Sequence, residues 1–203
     1  MSYNVKTETD TLWYKGEPVI KYRLKTVSIF GYKNGIEKIN GIIEDETDGY
    51  LKKIKESYYP KAALVFDNQA KEETEKLPFL LDFEIRVEYE TEDVVSVTVN
   101  RSEKTGGEGN ELYKKAYTFN KESGKQLKLT EVYKDTASIY EKVSEKIATE
   151  IKNGEEGYLP DWKIRLEKAL KKGNYYLKDG RPVLFFDQYE LMSYSYGIKE
   201  FEA

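Results

Sequence analysis

The 203-residue chain contains no cysteine and no histidine, and these two absences exclude more chemistry than any of its motifs suggests. Without cysteine there is no disulfide, no thiolate nucleophile and no Cys-based zinc site. Without histidine there is no Ser-His-Asp or Cys-His machinery, no imidazole metal ligand and no general base of the usual kind. Long apolar runs are also missing. No stretch approaches the ~18 residues that a membrane-spanning helix needs, and Met1 to Asp10 lacks the apolar core of a signal peptide. Two readings of the compartment therefore stand: a cytoplasmic protein, or the exported part of a longer anchored one to which Met1 was added. A surplus of positive charge is lacking too. Lys and Arg number 33 against 37 Asp and Glu, for a net charge of -4. With no clustered basic run, a nucleic-acid partner is not expected.

What is present suits a globular core under a charged surface. Hydrophobic residues make up 39% of the chain and charged residues 34%, unlike the apolar-poor, charge-lopsided profile of disorder. Val19, Tyr22, Leu24, Val27 and Ile29 predict a strand over residues 17–30, punctuated by Gly16, Pro18 and Gly31. Ile36, Ile39, Ile42 or Ile43, Tyr50, Leu51 and Ile54 fall at helical spacing behind Asn34, a candidate N-cap. Residues 58–69, with Pro60 and then an apolar run, read equally as a helix end or a short strand. Leu81, Phe83, Ile85, Val87 and Tyr89 alternate with charges. After the turn Thr91–Asp93, Val95, Val97 and Val99 alternate likewise, which predicts an antiparallel hairpin.

Beyond Thr105-Gly-Gly-Glu-Gly-Asn110, Leu112 to Phe119 predicts a strand, and the turn 121–124 leads to a further apolar stretch, Leu127, Leu129 and Val132. Ile139, Val143, Ile147 and Ile151 recur every four residues in a helix capped by Asp135 or Thr136 and stopped at Asn153–Gly154. A second helix opens at Pro160-Asp161-Trp162 and ends at Gly173, and Asp179–Gly180 predicts a hairpin between 174–177 and 183–186. The stretch from Leu184 to Phe201 is too aromatic for a fraying terminus and is expected to dock as a final strand. This order predicts an α+β fold of antiparallel sheets with helices packed on one face, in two tandem subdomains, 1–104 and 105–203.

Few motifs carry chemistry. The loop containing Gly106, Gly107 and Glu108 could offer backbone N–H groups to an anion or partner. Its spacing fails as a dinucleotide loop, and glycines in such loops mostly serve positive φ. Asp45 to Gly49 lacks the alternating acids of a calcium loop. With 37 acids, a carboxylate pair suited to glycoside hydrolysis will arise somewhere by chance. Glu190 sits among aromatics, where burial would raise its pKa, although such a residue more often accepts backbone N–H bonds and shapes a loop. The 18 tyrosines suit protein or carbohydrate contact. Tyr189, Tyr194 and Tyr196, interleaved with Ser193 and Ser195, make the best candidate patch.

Four stretches taken together resemble a known family. They are Thr105–Asn110, the strand-turn Ala116–Leu129, the Asp135 helix and Phe186–Phe201, the last through Tyr189–Glu190, Tyr194, Gly197–Ile198 and Glu200–Phe201. The resemblance is to the paired domains of unknown function in extracytoplasmic Gram-positive proteins, such as the lysozyme-sensing anti-sigma factor RsiV and the non-catalytic N-terminal part of the peptidoglycan deacetylase PdaC. It covers residues 105–203 well and 10–100 by general shape. Glu108 stands where the family usually has histidine, and Ser193 where it has proline.

The resemblance implies a non-enzymatic extracytoplasmic binding or sensing domain, membrane-anchored or secreted. Its ligand would be a cell-wall-directed protein such as lysozyme, or a peptidoglycan fragment. The contact residues would be Gly106, Gly107, Glu108, Tyr189, Glu190, Ser193, Tyr194 and Tyr196. No cofactor and no metal are expected. Two alternatives stay open, a carboxylate-only glycan hydrolase and an accessory domain without ligand.

Overall fold

The computed structural model describes residues 2–72, 74–106 and 109–202. Its elements are β1 (Tyr3–Tyr14), β2 (Glu17–Ile29), α1 (Ile36–Lys53), a π-helical turn (Ile54–Tyr58), α2 (Tyr59–Lys71), β3 (Phe79–Glu90), β4 (Val94–Lys104) and β5 (Glu111–Asn120). There follow α3 (Leu129–Val132), α4 (Thr136–Lys152), α5 (Trp162–Lys172), β6 (Tyr175–Lys178), β7 (Arg181–Phe186), a 3-10 turn (Tyr194–Tyr196) and β8 (Lys199–Glu202). The fold is α+β. One sheet has the order β1-β2-β3-β4-β5 and the other β6-β7-β8. The chain groups into two compact units, residues 1–32, 36–86 and 99–111 in the first, and 33–35, 87–98 and 112–203 in the second. Strands β3 and β4 contribute residues to both units.

In the first unit, Lys15 and Gly16 both take positive φ (50° and 83°) and close the β1/β2 hairpin. The sheet is not wholly antiparallel as the sequence suggested. β2 and β3 run parallel, from Ile20 opposite Phe79 to Lys25 opposite Glu84. The helical run between them is the reason, because a crossover connection returns the chain in the same direction. Ile36, Ile39, Ile43, Tyr50 and Ile54 are buried along that run, and Tyr50 stacks on Phe83 at 5.0 Å. Asn34, the expected cap, gives its side-chain amide to Glu122 instead.

Residues 58–69 resolve as helix. Pro60 lies in the first turn of α2, where its missing N–H is tolerated. Just before it the helix widens, with the Tyr59 N–H reaching the Ile54 carbonyl five residues back. This turn aims Tyr58 at Glu103 of β4, which Lys53 at the end of α1 also approaches. The Glu103 side chain is 0% exposed. It accepts the Tyr58 hydroxyl, with Lys53 Nζ at 3.4 Å and Arg101 Nη1 at 3.9 Å. Burial, and then the Glu103 charge, pushes the neighbouring Tyr50 hydroxyl far above its ordinary pKa.

In the second unit β7 is the middle strand, paired antiparallel with β6 and β8. Asp179 and Gly180 close the β6/β7 hairpin with φ of 51° and 77°. Leu184, Phe186, Leu177 and Phe201 face α4 and α5, packing with Ile139, Val143, Ile147 and Leu166. Tyr176, Val183 and Phe185 face the other way, against Ala116 of β5 and Ile198. Asp135 caps α4 by accepting the Ser138 N–H, and Gly173 in the left-handed region ends α5. Within the apolar stretch Leu127–Val132, Leu129–Val132 form the short helix α3, where Glu131 accepts the Lys128 N–H at 2.9 Å. Among the described residues no helix is long and apolar enough to cross a membrane.

Two predictions follow from the first unit's acids. Tyr58→Phe keeps the packing but removes a donor from the buried Glu103 carboxylate, and is expected to lower the unfolding free energy by about 1–3 kcal/mol in urea melts. Glu103→Gln in that background should recover part of the loss. Glu84 is held by Arg86, and by Lys25 at 2.7 Å, so its carboxyl lies at about 2, below its ordinary 4.5. The depressed value means that the contribution is complete above pH 4.5 and is lost as pH falls toward 2. In acid titrations of stability, Glu84→Gln should flatten that window.

Candidate functional site

The chain leaves the core at Phe186 and returns to it at Phe201, and the segment between is held at many points. The Asp187 N–H donates to a Glu190 oxygen at 2.8 Å, and the Glu190 N–H to the Asp187 carbonyl at 2.9 Å. This closes a tight turn with Tyr189 at φ 66°, a conformation that a tyrosine adopts only under constraint. The other Glu190 oxygen accepts from Lys172 at the end of α5. Arg165 donates to the Tyr189 carbonyl at 3.4 Å and lies over its ring at 5.7 Å. Asp161 holds Arg165 in turn at 2.7 Å.

Leu191 and Met192 then plug into the core between α4, α5 and the sheet. Around them the backbone pairs with a neighbouring loop. The Leu159 N–H donates to the Leu191 carbonyl at 2.9 Å, and the Ser193 N–H to the Gly157 carbonyl at 2.7 Å. Gln188 ties the far side by accepting the Leu112 N–H at 2.8 Å and donating to the Tyr194 carbonyl at 2.9 Å. Tyr196 rests on Gly157, where a Cβ would stand 2.3 Å from its ring.

The backbone is thus fixed while the rings are not buried. Tyr189, Tyr194 and Tyr196 are 55%, 43% and 48% exposed. The charges follow the same plan. Glu190 raises the pKa of Lys172. Burial, and then the Glu190 charge, raises that of Asp187. Burial works against the charge of Lys199, yet Glu155 and Glu150 at 2.8 and 2.9 Å hold its pKa well up.

Of the residues singled out from the sequence, Tyr189, Glu190, Ser193, Tyr194 and Tyr196 are brought together here. Glu190 takes the loop-shaping role, since both its oxygens are engaged. Gly106 belongs to the first unit, where at φ 94° it faces Phe79 and Val65. Gly107 and Glu108 lie outside the described residues.

The sequence reading missed a cleft of about 670 Å³ in the second unit. Leu127, Leu129, Leu170 and Tyr175 give it apolar lining, and Lys128, Lys171 and Lys172 stand at its rim. Gln126, Thr136 and Tyr140 line it with no side-chain hydrogen-bond partner among the described residues. Its lining comes from stretches between residues 116 and 175 that share no motif, so no local signal marked it. Glu167 is the one carboxylate among the described lining residues. A more open concavity of about 680 Å³ on the first unit's sheet includes Asp10 and Asp82. Asp10 accepts from the Tyr22 hydroxyl, and Asp82 pairs with Arg23 at 2.7 Å.

Residues 115–202 match the model of a family described as a protein of unknown function, DUF3298. That span holds the tyrosine segment and every residue lining the cleft, and it leaves out the glycine loop. Two solved structures share the fold. A DUF3298 family member from Bacteroides fragilis NCTC 9343 aligns with a TM-score of 0.67 at 12% identity, over 99% of this chain and 89% of that one. A DUF3298 family protein from Pseudomonas aeruginosa PAO1 aligns with a TM-score of 0.57 at 13% identity, over 98% and 88%. No curated protein matches the chain.

If Glu190 is the clasp of this segment, Glu190→Ala should raise the amide exchange rate of Asp187 about tenfold or more, as expected for loss of a charge-assisted bond. Amides in the middle of α4 should keep their wild-type protection.

Proposed function

We propose that this chain is a non-enzymatic binding or sensing domain whose contact surface is the tyrosine segment 189–196. The observation that carries the reading is the contrast between a backbone pinned on both sides and three half-exposed tyrosine rings. A surface ordered before binding loses little entropy when it binds, and tyrosine brings large amphipathic contact area with few rotatable bonds.

The ligand class we propose is a cell-wall-directed protein such as lysozyme, or a peptidoglycan fragment, met outside the cytoplasm by an anchored or secreted protein. It rests on the resemblance to the paired domains of RsiV and PdaC, which is strongest at Tyr189–Glu190, Tyr194, Gly197–Ile198 and Glu200–Phe201. Glu108 and Ser193 depart from that pattern, and they are the residues that would set a different ligand preference.

A carboxylate-only glycan hydrolase is the second reading. Asp187, raised by burial beside Glu190, is the pair that favours it. Against it stands the engagement of both Glu190 oxygens in holding the turn and the absence of either residue from the described lining of the cleft.

The test is calorimetric titration with hen lysozyme and, separately, with soluble muropeptides. Tyr194→Ala and Tyr196→Ala are each expected to weaken binding about tenfold or more, the loss typical of an interface anchor. Unchanged affinity in both variants rules out this surface. A wild type that binds neither probe rules out the ligand class. Release of reducing sugar from peptidoglycan, abolished by Asp187→Asn, would favour the hydrolase instead.

A further inference from the structure

β1 is an anomaly for a packed domain. It is 12 residues long, it lies at the edge of its sheet, and Asn4 to Asp10 are all exposed. A long open edge is a template for another strand, and this one has a definite parity. The Phe30 N–H donates to the Ser2 carbonyl at 2.6 Å, and the register continues with Tyr3 opposite Ile29 and Val5 opposite Val27. Even-numbered residues of β1 therefore exchange their backbone bonds with β2, and the N–H and C=O groups of Tyr3, Val5, Thr7, Thr9 and Thr11 point away from the sheet. The register slips at Leu12/Trp13, which ends the usable edge.

We propose that β1 is the pairing edge of a symmetric dimer, in which a second copy adds its own β1 antiparallel about Thr7. The occupant follows from the charges along the strand. A two-fold centred on Thr7 sets Thr7 against its copy and Val5 against Thr9 in the outward hydrogen-bonded positions. It sets Lys6 against Glu8, and Glu8 against Lys6, in the closer positions between them. The Lys6 and Glu8 side chains already share a face, 3.7 Å apart, so the dimer would carry a cluster of four alternating charges there. β-branched residues would pair on the opposite face.

The neighbouring registers are worse. Centring on Lys6 opposes two lysines, centring on Glu8 opposes two glutamates, and centring on Thr9 opposes Glu8 with Asp10. A parallel addition would not close into a two-fold. One alignment thus satisfies the edge and the charges together, and it needs no sequence other than this one. The reading is independent of the tyrosine segment, which lies in the other unit.

Sedimentation velocity of the full chain across the micromolar range tests it. The wild type is expected to move between monomer and dimer with concentration. Lys6→Glu places acids opposite one another twice and should raise the dissociation constant about tenfold. Adding Glu8→Lys restores opposite pairs and should return it to the wild-type value. Thr7→Pro removes an outward N–H without touching the β2 ladder and should leave a folded monomer, with folding checked by circular dichroism. A wild type that stays monomeric throughout overturns the proposal, as does a dimer that the Lys6→Glu substitution leaves unchanged. Should Thr7→Pro fail to fold, the charge swap alone decides, because its double variant carries the same charges in exchanged places.

Discussion

The second unit depends on one constraint, that β7 is apolar on both faces. Val183 and Phe185 point one way, Leu184 and Phe186 the other, and all four are buried. A strand of this kind has to be covered twice. α4 and α5 cover one side, while Ala116 of β5 and Ile198 cover the other. β6 and β8 satisfy both of its backbone edges. Because β8 must lie beside β7 and antiparallel to it, the chain from 187 to 198 has to leave the sheet and come back. That is why a segment exists at this end of the unit, and why both of its ends are rigid.

The first unit is organised differently, around a polar group in the core. Glu103 is a buried carboxylate whose removal from water is costly unless it is paired. Two of its partners, Lys53 and Tyr58, come from one helical run, and an uninterrupted α-helix would set Tyr58 at a different angle from Lys53. The π turn before Pro60 brings Tyr58 onto the carboxylate that Lys53 also reaches. Proline, the helix irregularity and the buried acid are thus parts of one local solution.

How much of this could be read from the sequence depends on whether an element buries one face. β7, α4 and α5 do so strongly, and their boundaries, the Asp135 cap, the Gly173 stop and the Asp179–Gly180 turn were all visible. β1 was not. Its residues are exposed on both faces, so there is no apolar period of two to find, only a scatter of threonines and charges. The parallel pairing of β2 with β3 is not legible for a related reason, since residues 58–69 read equally as helix or strand and leave the crossover undefined. Leu127 and Leu129 stand two apart as in a strand, yet Leu129 to Val132 form a helical turn, fixed by the Glu131 carboxylate on the Lys128 N–H. Of the site, the tyrosine segment was legible because its residues are contiguous. The cleft was not, because its lining is scattered over 60 positions of the chain.

The same logic separates the segment's two kinds of residue. Glu190, Leu191, Met192 and the glycines at 157 and 197 are accounted for by the fold, each by a bond or a close packing that fixes the loop. The rings of Tyr189, Tyr194 and Tyr196 stay about half exposed, although Tyr196 packs on Gly157 and Arg165 lies over Tyr189. The positive φ of Tyr189 sharpens the point. A glycine or asparagine would adopt that backbone with less strain, so the turn alone gives no reason for a large aromatic there. Its ring lies over Arg165, which is itself anchored by Asp161. Such stacking favours one orientation of a ring that would otherwise swing free. The orientation of this side chain is thus set by a separate arrangement of charges and not by the needs of its own turn.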